Sequence, residues 1–574
     1  MADTGINHKL IIYQLLPRLF GNTNTTNKNY GSVEENGVGK LNDINDTALR
    51  EIKSMGFTHV WYTGVIEHAT MTDYTQYGIP NDDPDVVKGR AGSPYAIKDY
   101  YDVAPDLAVD VPNRMAEFDA LVQRTHAQQL KVIIDLVPNH VARTYRSDTK
   151  PAAIRDFGAD DDTTKAFSAL NDFYYTPGYP FKVPAGYNPG GDEFHSPLKD
   201  GRFDENPAKA TGNDVFNAAP SINDWFETVK LNYGVDYMGG RAQHFNPIPP
   251  MWQKIYDILD YWSAKGVDGF RCDMVEMVPV EFWGWVIPKI KTKYPQLIFL
   301  GEAYNTSQYH NYIFNGGFDY LYDKVGLYDG LKRLMRNEPH ATIWDINKVC
   351  FHESAEFPQH MLRFLENHDE ERIASPHFVG NAWLAAAAMI VTATLSTGPV
   401  MIYFGQEVGE PAAGAKGFSE DNGRTTIFDY WGVPEHQKWL NGGQFDGGQL
   451  SESQKQLREF YSKLLNISGS NAAITQGRFY ELMLINLRPG SGFDERTYAY
   501  LRYTDQQRIL VVANFDRHDR NLLVKLPPEL LAQWQLTGTL AFTDLLSGAV
   551  YTAANIDAGL SIKFSAANGL LLSF

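Results

Sequence analysis

The chain has 574 residues, with 51 Lys plus Arg against 69 Asp plus Glu, a formal net charge of −18. Such a length exceeds one ordinary domain, and the acidic balance argues against nucleic acid or an anionic membrane as a partner while suiting a neutral substrate. Aromatic residues make up 13% of the chain, including 32 Tyr and 11 Trp, a surplus that suits clefts for flat apolar faces such as those of sugar rings.

Met1-Ala-Asp-Thr-Gly5 carries no basic stretch followed by an apolar core, and no apolar run reaches membrane-spanning length. The expectation is a protein without a membrane span, periplasmic or extracellular if an export signal was trimmed and cytoplasmic otherwise. Strand-like apolar runs then recur along the chain: residues 10–16, 59–63, 131–140, 267–274, 297–304, 317–322, 361–369 and 400–407. Helical stretches separate them. Residues 43–55 form one, a second follows Asn113 as N-cap with Met115, Phe118, Leu121 and Val122 on one face, and a third carries Trp252, Ile255, Leu259 and Trp262. Eight such runs alternating with helices predict a (β/α)8 barrel, whose chemistry sits on the loops after the strands. About 110 residues rich in Gly, Pro, Asn and aromatics interrupt the rhythm after the third run, too many for an ordinary loop, and predict an inserted domain. After a helix near 454–465, alternating runs at 497–503, 508–515, 521–526 and 560–564 predict an antiparallel β-sandwich. The resulting division is a barrel at 1–140 and 251–470, an insertion at 141–250 and a C-terminal domain at 471–574. Cys272 and Cys350, the two cysteines, imply no disulfide framework.

The polar residues fall at strand ends. Arg271 and Asp273 share one face of the fourth run because strand side chains alternate, so a guanidinium can keep the carboxylate ionised, as a nucleophile requires; a structural ion pair is the alternative. Asp135, Asn139 and His140 end the third run, Glu302 the fifth, and His368 with Asp369 the seventh. Three acids crowded into one mouth repel, which raises at least one pKa and divides them into a proton donor and an anion, the pairing a retaining glycosidase uses.

Asp135-Leu-Val-Pro-Asn-His140, Gly269-Phe-Arg-Cys-Asp273, Gly301-Glu302 and Phe364-Leu-Glu-Asn-His-Asp369, in this order, resemble the four conserved regions of the alpha-amylase family, glycoside hydrolase family 13. The resemblance implies a retaining α-glucan hydrolase acting on α-1,4 bonds of starch- or glycogen-type glucans or maltooligosaccharides. In it Asp273 is the nucleophile, Glu302 the acid/base and Asp369 the transition-state stabiliser. It implies that His140 and His368 hold hydroxyls of the same sugar, that Arg271 orients Asp273 and that Tyr95 stacks on the ring; for Tyr95 core packing stays open. A transglycosylase on the same residues, and a non-catalytic glucan-binding protein, are the alternatives. Glu276 and Met277 stand where many members have Lys-His. They either line the leaving-group side, Met277 stacking on a sugar and Glu276 hydrogen-bonding, or pack plainly. Lys40 and Lys230 stand at positions where some family members place calcium-binding acids, which counts against calcium without excluding it; no metal ligand is assigned and no cofactor is required. Either their ammonium groups replace calcium's charge or they are ordinary solvated lysines. The oligomeric state is not implied.

Overall fold

The computed structural model describes residues 9–574; the N-terminal pentapeptide read for an export signal lies outside them. Eight parallel strands form the barrel: β1 Ile11–Leu15, β2 His59–Tyr62, β3 Lys131–Leu136, β4 Gly269–Cys272, β5 Ile298–Gly301, β6 Tyr320–Tyr322, β7 Met361–Leu362 and β8 Val400–Tyr403. Their order around the sheet is β7-β6-β5-β4-β3-β2-β1-β8. A parallel bridge between Arg363 and Val400 joins the two ends, with Met401 N donating to Arg363 O at 2.9 Å. Ile12, Trp61, Ile133, Leu300, Tyr322, Leu362 and Met401 fill the interior as one apolar cluster. The period-two alternation of the strands therefore aims Asp135, Arg271 and Asp273 along the same inward face toward the upper rim.

Every strand is shorter than its sequence run, and for the third and seventh the reason is visible. The third ends at Leu136 because Pro138 interrupts the ladder; His140–Ala142 instead pairs antiparallel with Thr228–Lys230 of the inserted segment. The seventh stops at Leu362. Beyond it the Asn367 side chain accepts from the backbone N–H groups of Asp369 (2.8 Å) and Glu370 (3.0 Å), turning the chain out of the sheet. The N-cap expected of Asn113 is also absent: its side chain donates to Asp110 at 2.6 Å, and Val111–Asn113 forms a tight turn ahead of helix Arg114–Ala127. Asn45, by contrast, caps Asp46–Ser54 through Thr47 N and Ala48 N.

The chain between β3 and helix Pro250–Ala264 holds only short ribbons, including Tyr175–Thr176 with Ala208–Lys209. After helix Glu452–Ser470 comes a six-stranded antiparallel sheet, running from Arg478–Glu481 to Asn568–Ser573, with a separate pair Arg520–Val524 and Leu560–Phe564.

Candidate active site

At the rim Arg271 is buried, and its guanidinium forks between two acids: Nη1 lies 2.8 Å from Asp273 Oδ1 and Nη2 2.8 Å from Glu302 Oε2. Asp135 Oδ1 stands 3.7 Å from the same Nη1. Asp273 and Glu302 are thus held on one guanidinium. β4 and β5 are adjacent parallel strands in which Arg271 pairs with Leu300, so acids two residues beyond each partner meet above the barrel.

Met274, next to Asp273, has left-handed backbone angles (φ 45, ψ 49) that side chains other than glycine and Asn adopt reluctantly. The turn points its N–H at Glu302 Oε2, 2.9 Å away, while Tyr304 donates its hydroxyl proton to Glu302 Oε1 at 2.5 Å. Strain in one residue thus fixes one oxygen of the acid.

Asp369 closes the group from β7. Its Oδ2 is 3.0 Å from His368 Nε2, and its side chain is 44% exposed into the cavity, against 9% for Asp273 and 3% for Glu302. His368 is held by Gln14 Nε2 at Nδ1 (2.8 Å), by the Tyr95 hydroxyl at Nε2 (2.6 Å) and by the Tyr95 ring stacked at 5.2 Å. Asp135 braces this layer by accepting from Trp61 Nε1 and Gly64 N.

Burial raises the pKa of Glu302, and the nearby charges of Asp273 and Asp369 add to it against the pull of Arg271 and Tyr304, leaving it at about 7. Burial also raises Asp273, Arg271 opposing. For Asp369 burial acts in the same direction, but His368, Arg271 and Arg424 outweigh it and bring the pKa down to about 2. The expectation that arginine singles out Asp273 as the firmly ionised acid therefore changes: Arg271 is divided among several carboxyls, and Asp369 is the one held lowest. Burial lowers His140 to about 4, so its imidazole is neutral.

Asp273, Glu302, Asp369, Tyr95 and His140 all line one cavity of about 290 Å³, with Met274, Tyr304, Lys88, Trp225, Glu227, Thr228, Ile427 and Phe428. Tyr95 is half-buried there and is not closed into the core. Glu276 and Met277 are not brought to it. The Glu276 carboxylate accepts from the backbone of Tyr304 (2.7 Å) and Asn305 (3.1 Å), bracing the β5 loop, and the Met277 carbonyl accepts from Tyr237. Glu276 thus braces the loop, and the Met277 side chain is partly exposed. Among the residues missed in the sequence, Tyr304 had a signal, since it lies two positions from Glu302 and shares its face; Lys88 and Glu227, 139 positions apart, had none.

The residues around Asn139 do not fit a calcium ion. Lys230 Nζ, buried, sits 2.7 Å from Asn139 Oδ1 and 2.6 Å from Asp214 Oδ1, so an ammonium fills the space between two oxygen donors. Lys40 Nζ donates to Asp106 O at 2.6 Å. Neither is a freely solvated lysine. Elsewhere Glu67, Asp99 and Asp102 bring carboxylate oxygens within 4.8 Å of one another, but Asp102 is bound by Arg114 and Asp99 by the N–H groups of Tyr101 and Asp148.

An eight-stranded parallel barrel carrying an arginine-bridged acid pair and a third carboxylate on its upper rim defines a glycoside hydrolase of the barrel class. The family described as "Alpha amylase, catalytic domain" matches residues 14–477, and the chain belongs to the alpha-amylase family. It is 26% identical to an alpha-glucosidase of Pediococcus pentosaceus over 271 residues, 47% of this chain but 35% of that protein, so it spans about a third of that relative's length. It is 22% identical to a trehalose-6-phosphate hydrolase of Bacillus subtilis (strain 168), over 88% of this chain and 89% of that one. A noncanonic maltogenic alpha-amylase from Thermotoga neapolitana superposes with a TM-score of 0.60 at 20% identity, covering 98% of each chain, a likeness of fold.

Proposed function

We propose that this enzyme hydrolyses α-1,4-glucosidic bonds of starch- or glycogen-type glucans or maltooligosaccharides with retention of configuration. The observation that carries the proposal is the Arg271 fork, which sets Asp273 and Glu302 side by side, as the closely spaced carboxyl pair of a retaining mechanism requires. In the first step an Asp273 oxygen forms a bond to the anomeric carbon as the bond from that carbon to the leaving oxygen breaks, and Glu302 gives its proton to that oxygen. In the second step Glu302, now a carboxylate, takes a proton from water; the water oxygen bonds to the anomeric carbon and Asp273 is released. The raised pKa of Glu302 supplies the proton near neutrality. Asp369, open to the cavity and anionic, binds sugar hydroxyls as the ring flattens, with His140 and Tyr95 lining the same cavity and His368, itself buried, holding Asp369 from behind.

Against the non-catalytic alternative stands the retention of all three acids in one cavity. Release of reducing sugar from soluble starch and maltoheptaose tests the reading: Asp273→Asn and Glu302→Gln are each expected to lose about 10⁴-fold or more in kcat. Wild-type protein releasing no reducing sugar, or variants retaining activity within tenfold, would refute it.

A further inference from the structure

A glucan cut internally leaves the catalytic cavity on both sides of the scissile bond, whereas one cut from its end needs an exit on the leaving-group side alone. The strand order places β4 and β5, whose ends lead into Asp273, Met274, Glu302 and Tyr304, across the barrel from β8 and β1. The leaving group departs past Glu302, so the far side receives the non-reducing end.

Three segments line the cavity away from Glu302. Lys88 comes from the chain after β2, Trp225, Glu227 and Thr228 from the inserted segment, and Ile427 with Phe428 from the chain after β8; all line the catalytic cavity. They are tied to one another. Ala91 N donates to Phe428 O at 3.0 Å and Arg90 N to Asp429 Oδ1 at 3.3 Å, joining the first segment to the third. Lys88 Nζ donates to Asp224 O at 3.1 Å and lies 2.8 Å from Glu227 Oε2, joining the first to the second. With about 290 Å³, the cavity is at the small end for ligand sites.

The Lys88–Glu227 pair is the polar part of this wall. Its side chains are 9% and 7% exposed, and the ammonium stands 5.0 Å from the Phe226 ring centroid. A buried ion pair is weak as a stabilising device, since its desolvation cost rivals the attraction and an apolar pair of similar volume serves as well. Lys88 has three N–H donors and the two contacts above engage two; Glu227 contributes acceptor oxygens. A donor and an acceptor side by side suit a sugar hydroxyl, which both accepts and donates.

Building on the proposed glucan hydrolysis, we infer that Lys88 and Glu227 hold the terminal hydroxyls of the non-reducing glucosyl end, making this an end-acting enzyme for α-linked glucosides with a free terminus. The test compares maltoheptaose with maltoheptaose whose non-reducing terminal 4- and 6-hydroxyls are bridged by an ethylidene group, products being resolved by chromatography. The blocked substrate is expected to lose about 100-fold in kcat/KM, as a site built for a hydroxyl rejects an analogue lacking it. A ratio below tenfold overturns the inference. If the free substrate is not cleaved either, it is the glucan reading that fails, and with it the ground for this one. The double variant Lys88→Met with Glu227→Gln removes both charges together, leaving neither unpaired. Provided it melts as wild type does, it is expected to lower kcat/KM on the free substrate toward that on the blocked one, shrinking the free-to-blocked ratio below tenfold. An unchanged ratio in that folded variant overturns the assignment to this pair, and if the double variant does not fold, Glu227→Gln alone is read by the same ratio.

Discussion

Residue by residue, the division of labour among the acids follows from what each one touches. Glu302 is protonated up to a pKa of about 7 and Asp273 must be ionised to attack, so activity is expected to rise with pH through the Asp273 ionisation and to fall as pH passes about 7. Tyr304 donates a hydrogen bond to the Glu302 carboxylate and so stabilises its charged form. Tyr304→Phe removes that bond, and the alkaline limb of kcat/KM is expected to move upward, by about half to one pH unit. A limb that stays in place or moves downward would show that the hydroxyl does not act on Glu302. The candidate acids were legible because the strand-end motifs are local: Arg271 and Asp273 declare their shared face by alternation alone. What the motifs do not carry is how one guanidinium is divided. The order of the three pKa values depends on distances among β3, β4, β5 and β7, and the lowering of Asp369 depends on Gln14 and Tyr95 holding His368 from elsewhere in the fold.

Among the elements, the strand pattern was readable wherever apolar runs were continuous, and failed where side chains captured the backbone. Pro138 turns the end of the third run into a ribbon with Thr228–Lys230, which carries His140 out of the barrel wall and anchors the inserted segment beside the site. In that ribbon His140 faces Lys230 in register, and Lys230 supplies positive charge to Asn139 and Asp214. If that ammonium does the work of a bound cation, thermal inactivation of the wild type is expected to proceed at the same rate with and without a strong divalent-cation chelator. A large loss of stability in chelator refutes it. Lys230→Met leaves Asn139 and Asp214 without their partner; because Asp214 is partly open to water, the expected cost is about 2 kcal/mol, seen as a lower melting temperature. The sequence showed a lysine at the place of an acid, but the oxygens around it come from residues 139 and 214, and only the fold brings these together.

For the molecule as a whole, the decisive contact is between the barrel and the C-terminal sheet. The helix Ala386–Thr394, between β7 and β8, is buried along its full length, and a helix apolar on every side must be covered on every side. The sheet supplies the outer cover: Gly569 on the strand Asn568–Ser573 approaches so closely that a Cβ there would stand 2.5 Å from Ile390 Cδ1. Polar groups fasten the same face. Thr394 Oγ1 lies 2.6 Å from the Tyr500 hydroxyl, and buried Arg502 donates to the carbonyls of Leu395, Ala473, Ile474 and Gly477 at 2.7–3.3 Å. Strand periodicity revealed that a β-domain follows the barrel but not that it completes the barrel's own core, since nothing local in residues 386–394 tells a helix buried by one domain from a helix buried by two. A chain ending at residue 477 would expose Ile390 with its neighbours as an apolar face, which drives aggregation. It is expected to be recovered insoluble. Arg502→Met in the full chain probes the joint without removing it: several buried carbonyls lose a charged donor, at an expected cost of about 2–4 kcal/mol. The catalytic cavity, at the opposite end of the strands, should keep its KM for maltoheptaose while the melting temperature falls. A soluble, active chain of 477 residues, or an Arg502→Met variant melting with the wild type, would show that the barrel is complete without the sheet.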